Sequence, residues 1–366
     1  MHNSVLVVGT GTIGEPLTGL LATLSKELGL DEVIFYKHTP RKTDYPLVEG
    51  LLRKGAHIAS NKETHKKWKE MGVDVTYTFE EALDRSKIVA DCSFERKGIE
   101  NKEKFYKQRQ GKIQNFLAQG SETGFGIPYA TGINDFVLED YEKNKFIQVV
   151  SCNTHNISSV LKNLAFGPDG PQNGNGNKCS LVAGKFMAIR RAADVSQASS
   201  FIGSPEVGTH KDLRFGTHHA QDANRLFKTM GYDLAVFSSA IKIPTQYMHT
   251  LFFDLKLKEE TTKEEVMKKF VDDPYVAITH KRQSALVFSF GREHGFYGRI
   301  LDQSVVVEPT VSVLEGGKDV VGYCFTPQDG NSLFTSTTAI TQWMSNDWED
   351  TQKRLKCLDR YRFDEV

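Results

Sequence analysis

Cys152 is the residue of this 366-residue chain best placed for covalent chemistry. It lies in Phe146-Ile147-Gln148-Val149-Val150-Ser151-Cys152-Asn153-Thr154, where an apolar run of strand length meets polar residues able to open a helix. A thiol at a helix N-terminus faces unpaired N–H groups and the positive end of the helix dipole. Both favour the thiolate and can bring its pKa down to roughly 3.5–7.5. A single cysteine is more often a small core residue, so its weight comes from the other end of the chain. There Gly9-Thr10-Gly11-Thr12-Ile13-Gly14 follows an apolar strand, Ser4–Val8, and opens a helix pattern. In that context Gly9 makes the turn, Gly11 admits a pyrophosphate and Gly14 lets the helix pack closely. The alternative is a glycine-rich turn with no ligand. A nucleotide cofactor and an activated thiol together point to thiol-dependent aldehyde oxidation.

The end of the second strand separates NAD from NADP. An NAD site carries Asp or Glu there to hold the ribose hydroxyls. This chain has Tyr36-Lys37-His38-Thr39-Pro40-Arg41-Lys42, in which Lys37 and its neighbours suit a 2′-phosphate, and Glu32 comes too early to serve. NADP is therefore expected, with NAD as the alternative, unless the segment is only a solvated basic loop.

Two further histidine sites could carry chemistry. His249 falls on the face of Leu251, Phe253, Leu255 and Leu257, opposite Asp254 and Lys256. A histidine is the natural base near neutral pH, although one on an apolar strand face is more often a core residue. His218-His219 lies in Arg214-Phe215-Gly216-Thr217-His218-His219-Ala220, read as a loop with Lys211 nearby. Those groups could hold a substrate phosphate, form part of a metal pair, or simply be solvated.

Placing these residues requires an α/β frame. Helical stretches at 13–28, 62–71, 79–85 and 100–108 alternate with strands at 33–36, 73–77, 88–93 and 113–118, the pattern of a parallel, doubly wound sheet. Phe146–Val150 would be its last strand, with Cys152 at the carboxyl end, where such sheets bind ligands. After a helix at 157–165 and a Gly/Asn-rich loop at 167–177, the pattern turns β-rich: 181–189, 234–243, 250–257, 275–278, 285–290 and 304–314, without regular helical crossovers. A helix at 331–343 can return to the first domain. The expected division is a Rossmann domain over 1–151, completed by a C-terminal helix at about 330–348, and an α+β domain with a mainly antiparallel sheet over 152–329.

Composition limits the partners. The 46 basic and 46 acidic residues leave no electrostatic footprint for nucleic acid. Five widely spaced cysteines show neither a disulfide framework nor zinc-ligand spacing. No apolar run reaches the roughly 18 residues a membrane helix needs. A cytoplasmic protein is expected.

Taken in order, Thr10-Gly11-Thr12-Ile13-Gly14, Ser151-Cys152-Asn153-Thr154, Arg190-Arg191-Ala192-Ala193-Asp194, His218-His219 and Pro244-Thr245…Met248-His249-Thr250 resemble the archaeal-type (type II) phosphorylating glyceraldehyde-3-phosphate dehydrogenases. The resemblance covers nearly the whole chain. It implies a homotetramer of two-domain subunits using NAD or NADP, with roles in glycolysis and gluconeogenesis. It further implies that Cys152 attacks an aldehyde to give a hemithioacetal, then a thioester that phosphate cleaves. By the same resemblance His249 takes the hemithioacetal proton, Thr12, Ile13, Gly120, Arg191 and Gln328 contact cofactor, and Ser151, Asn153, His218 and His219 contact substrate.

Several positions depart from that pattern. His155-Asn156 stands where the family has Thr-Gly, and Glu15-Pro16 replaces a basic pair. The segment 195–199 lacks the family's charged run, and the Gly/Asn loop is an insertion. These departures keep two other readings open: a CoA-acylating semialdehyde dehydrogenase (a malonyl- or succinyl-CoA reductase in reverse), and a nucleotide-binding protein without turnover.

Overall fold

Ser4-Val5-Leu6-Val7-Val8 has no polar alternation because neither of its faces meets water. All five residues are buried as β1 (Ser4–Val8), as the central strand of a parallel sheet must be. Around it lie β2 (Glu32–Tyr36), β3 (His57–Ser60), β4 (Tyr77–Thr78), β5 (Ile88–Asp91), β6 (Asn115–Ala118), β7 (Ile127–Tyr129) and β8 (Phe146–Val149). The sheet runs in the order β4-β3-β2-β1-β5-β6-β8-β7, and β1 pairs in parallel with β2 on one side and β5 on the other. The strand order reverses between β1 and β5, so their carboxyl ends flank the crevice where open α/β sheets take ligands.

The computed structural model describes residues 2–120, 122–167, 170–171, 179–193, 202–327 and 329–366. They form two units. The first is Met1–Ile127, Phe136–Val149 and Thr335–Asp359; the second is Pro128–Asp135, Val150–Phe334 and Arg360–Val366. The first unit packs Leu6, Val8, Ile34, Phe79, Leu83, Val89, Phe116 and Phe125 into one core. Glu32, at the start of β2, is buried there and satisfied by Tyr77 Oη (2.8 Å) and Arg85 Nε (2.6 Å).

The second unit holds a mixed sheet of β9 (Leu181–Arg191), β10 (Glu206–Val207), β11 (Val236–Ile243), β12 (His249–Leu257), β13 (Val276–Thr279), β14 (Ser304–Val307), β15 (Ser312–Val313) and β16 (Asp319–Thr326). Its order is β10-β11-β9-β12-β16-β14-β13, with β15 also on β16. Most pairs are antiparallel, but β9–β11 and β13–β14 are parallel. A parallel pair needs a crossover, and helices supply both, at His218–Lys228 and Ser284–His294.

These helices correct the reading of a second half without helical crossovers. They also overturn the strand expected at 285–290. Short apolar runs fit either element; here Val287 and Gly291, four residues apart, are buried on one helical face. The strand expected at 73–77 shrinks to Tyr77–Thr78, because Gly72 (φ +82°) and the Val73 N–H to Trp68 O bond close the preceding helix. No helix among the described residues is long and apolar enough to cross a membrane.

Candidate active site

At the end of β1 the Gly9 N–H donates to Tyr36 O (3.1 Å), and Gly9 takes φ +96°. A Cβ on Gly9 would sit 2.9 Å from the Cys92 carbonyl oxygen, and one on Gly14 only 2.1 Å from Gly9 O. A Cβ on Gly11 would meet nothing within 4 Å. Two glycines are therefore demanded by the protein's own packing, while Gly11 opens onto unfilled space. The helix Gly14–Thr23 starts beside that space with no side-chain cap at Ile13. A bare helix start beside a glycine cradle suits a pyrophosphate, so the residues fit a dinucleotide. Gly120 follows β6 at the same carboxyl edge, its carbonyl held by Gln148 Nε2 (3.0 Å).

Sequence reasoning missed a residue at the end of β2. Lys37 Nζ pairs with Asp44 Oδ2 at 2.7 Å, both side chains mostly covered. Asp44 lies just beyond the basic segment, in the turn Lys42–Asp44, and brings a carboxylate to an edge that reads as purely cationic. Arg41 and Lys42 remain exposed. Gln328 lies outside the described residues, as do most of the Gly/Asn loop and residues 194–201.

The thiol belongs to the second unit. Ser151 is the N-cap of the helix Cys152–Leu161, its Oγ accepting from Thr154 N (3.3 Å) and bonded to Thr154 Oγ1 (2.8 Å). Cys152 is therefore the first helical residue, as the strand-to-helix junction foretells. Its carbonyl accepts from Asn331 Nδ2 (3.0 Å). The low thiol pKa expected from this position is not what the structure gives. Cys152 is only half-buried, yet the surrounding protein pushes its thiol up to about 11 and Asp329 adds to the rise. Arg191, the Asn153 N–H and Arg190 oppose them. Asp329 is itself held by Arg191 (3.7 Å) and Arg299 (4.0 Å), at a left-handed φ of +57°.

Asn153 begins a buried chain of polar groups. Its Oδ1 accepts from Thr326 Oγ1 (3.2 Å), which accepts from Asn156 Nδ2 (2.8 Å); Asn156 Oδ1 accepts from Ser304 Oγ (2.6 Å). With its Oδ1 committed, Asn153 turns its Nδ2 toward His219 Nε2 (3.3 Å). The proton of His219 is thereby assigned to Nδ1, which reaches Thr217 Oγ1 at 3.1 Å. His219 is buried, and burial, then His218, Arg190 and His249, hold its pKa well below the usual value.

The histidine pair is not in a loop: it opens the helix His218–Lys228. Its rings lie 4.0 Å apart at 30°, His218 exposed and His219 covered. His249 begins β12, and its Nδ1 accepts the backbone N–H of Arg191 at 3.0 Å, across the β9–β12 pair. Among the described residues no cluster of three or more His, Cys, Asp or Glu side chains could hold a metal.

His155, one of the departures noted above, is 1 % exposed. Its Nδ1–H meets Ser151 O (3.0 Å), and burial brings its pKa down to about 4. It is a neutral core group. With Asn156 in the polar chain, neither residue of the pair presents a charge. Arg190, a motif residue given no role of its own, is exposed and acts electrostatically on both Cys152 and His219. The doublet Arg190-Arg191 at the end of a strand is the signal that could have found it.

No protein-family profile matches the chain. Curated relatives do. It is 30% identical over 365 residues to a glyceraldehyde-3-phosphate dehydrogenase of Pyrobaculum islandicum, covering 96% of each chain. The chain belongs to the glyceraldehyde-3-phosphate dehydrogenase family. Relatives of the same name from Pyrobaculum calidifontis (28% identical, 74% of this chain and 71% of that one) and Methanobacterium formicicum (24%, 86% of each) agree. The chain is thus an oxidoreductase of the glyceraldehyde-3-phosphate dehydrogenase type.

Proposed function

We propose that this chain is a phosphorylating glyceraldehyde-3-phosphate dehydrogenase that works through a thioester on Cys152. The observation that carries the reading is the placement of Cys152 as the first residue of a capped helix. Arg191 and Arg190 favour its thiolate against the burial and the Asp329 charge that hold the thiol up, and the next residue is bonded to a buried imidazole. An ionised sulfur attacks the aldehyde carbon; the Gly9–Gly14 turn would hold a nicotinamide dinucleotide, which would supply the hydride acceptor. Inorganic phosphate then attacks the thioester carbonyl, the C–S bond breaks, and Cys152 leaves as thiolate.

In this reading His249 faces the reacting oxygen. His218, with Arg190, meets the substrate phosphate; an exposed guanidinium and an imidazole N–H are groups such an anion needs. Ser151 and Asn153 line the site, one capping the helix and the other orienting His219. The first unit takes the dinucleotide at Gly9, Gly11, Thr12, Ile13, Gly14 and Gly120. NADP is preferred over NAD: Lys37, Arg41 and Lys42 set three cations against the one carboxylate of Asp44. The enzyme acts in the cytoplasm as a homotetramer, following the family likeness.

The test is a substrate-and-acceptor panel read by NAD(P)H absorbance. Glyceraldehyde 3-phosphate with NADP and phosphate is expected to turn over, NAD more slowly. Turnover confined to malonyl- or succinyl-CoA would overturn the reading.

A further inference from the structure

Phe94 is an apolar ring left in the open at the carboxyl edge of the parallel sheet. It comes three residues after β5 and is 78 % exposed, although the turn that carries it is pinned at both ends. At the near end the buried carboxylate of Asp91 accepts the Ser93 N–H on Oδ1 (2.9 Å), and Asn101 Nδ2 (2.8 Å) and Tyr106 Oη (2.5 Å) on Oδ2. The Lys97 N–H donates to Phe94 O (3.0 Å), and between them Arg96 takes a left-handed φ of +69°. At the far end the buried Glu122 accepts the N–H of Ile99 at 2.9 Å, together with those of Arg96 and Gly98. A non-glycine residue keeps a left-handed backbone only where its surroundings over-determine it. The ring is therefore displayed by a fixed turn.

That turn adjoins the glycine cradle. The Gly9 N–H donates to Tyr36 O (3.1 Å), and a Cβ on Gly9 would stand 2.9 Å from Cys92 O and 3.3 Å from Ser93 N. The cradle thus has Lys37, next after Tyr36, on one flank and Phe94, next after Ser93, on the other. Neighbouring strands lie about 4.8 Å apart, so β2 and β5 stand roughly 10 Å apart across β1, a width that an adenosine group fills. With a pyrophosphate on Gly11 and the adenosine ribose read at the end of β2, the purine is the part left to reach the β5 flank. We propose that Phe94 is the stacking platform for the purine of the dinucleotide, ring face against base face. The inference rests on the dinucleotide site assigned above to the glycine turn and deepens it. Lys37 and Asp44 choose between NAD and NADP, whereas Phe94 binds the base that both share. An offset aromatic stack needs only two π faces, and a ring held in place beforehand loses little freedom when it is used.

Calorimetric titration of the full chain with ADP, NAD and NADP tests this, because ADP carries the purine, ribose and pyrophosphate without the nicotinamide. Phe94→Ala is expected to raise Kd for all three ligands by a similar factor, roughly five- to hundredfold, the loss of one base–aromatic stack. Phe94→Trp keeps a π face and should bind all three as the parent does. Its added indole fluorescence should be quenched by ADP beyond any change that ADP causes in the parent. Both substitutions lie on an exposed side chain, so the urea midpoint should match the parent's. Unchanged affinity in Phe94→Ala overturns the proposal, as does a loss confined to NAD and NADP, which would put the nicotinamide at this ring. An indole at position 94 that ADP binds without quenching also overturns it. If the parent binds none of the three ligands, the dinucleotide reading itself has failed. Tight binding by the parent with no loss in Phe94→Ala sinks the stack alone.

Discussion

Gly11→Ala separates what the glycine turn does for the fold from what it does for a ligand. Gly9 and Gly14 are held by contacts of 2.9 and 2.1 Å that a methyl group would make with backbone oxygens, whereas a Cβ on Gly11 meets nothing within 4 Å. Gly11 also has no left-handed φ. Alanine there should restrict the unfolded chain and stabilise the ligand-free protein by about 0.4–1 kcal/mol. A bound pyrophosphate packed on the Gly11 backbone would have to retreat by about the reach of a methyl. A loss of at least ~1.4 kcal/mol, or tenfold in Kd, is expected for both NAD and NADP. Gly14→Ala should behave differently, losing about 1–3 kcal/mol of stability because a backbone carbonyl stands in the way. Urea unfolding without ligand and calorimetric titration with each dinucleotide read the two effects. Unchanged affinity in a stably folded Gly11→Ala protein would refute the placement of the pyrophosphate.

Asp329→Asn removes an anion that opposes ionisation of Cys152, so the pH midpoint of iodoacetamide labelling should fall below the value of about 11; an unchanged or higher midpoint would contradict the charge arrangement. Asp44→Ala frees Lys37 from its 2.7 Å pair and should shift the NADP-over-NAD ratio of kcat/KM upward by about three- to tenfold, ~1 kcal/mol; a shift toward NAD would show that Asp44 is not a competitor. His155 has its folded pKa brought down to about 4 from an ordinary 6.5, so between those values the unfolded chain binds more protons. Stability is fully present above pH 6.5 and is lost as pH falls toward 4, by ~2 kcal/mol between pH 7.5 and 5. Urea unfolding at those two pH values checks the slope, which His155→Gln should flatten.

Much of this arrangement was legible in the residues. β1 and its glycine turn read correctly because a buried strand, a GxGxxG spacing and a following helix reinforce one another. The β12 alternation, with Leu251, Phe253, Leu255 and Leu257 buried, read correctly for a similar reason. The helix Ser284–His294 did not, since six apolar or small residues fit a strand as well as a helical face. Asp44 escaped notice because the turn Lys42–Asp44 folds it back on Lys37, and no local pattern records that approach. The rise of the Cys152 thiol also escaped. A helix start announces itself in sequence, but burial and the Asp329 charge arrive from 177 positions away along the chain. The bond from the Arg191 N–H to His249 Nδ1 depends on strand register between β9 and β12, which pairing alone decides.

The central claim is the acyl group on Cys152, and intact-protein mass spectrometry tests it directly. The enzyme is mixed with glyceraldehyde 3-phosphate and NADP in the absence of phosphate, quenched in acid and weighed. One phosphoglyceroyl adduct per chain, mapped to Cys152, absent from Cys152→Ala and discharged by added phosphate, is the predicted result. NADPH formation by Cys152→Ala, or turnover with no adduct at that sulfur, would contradict the account.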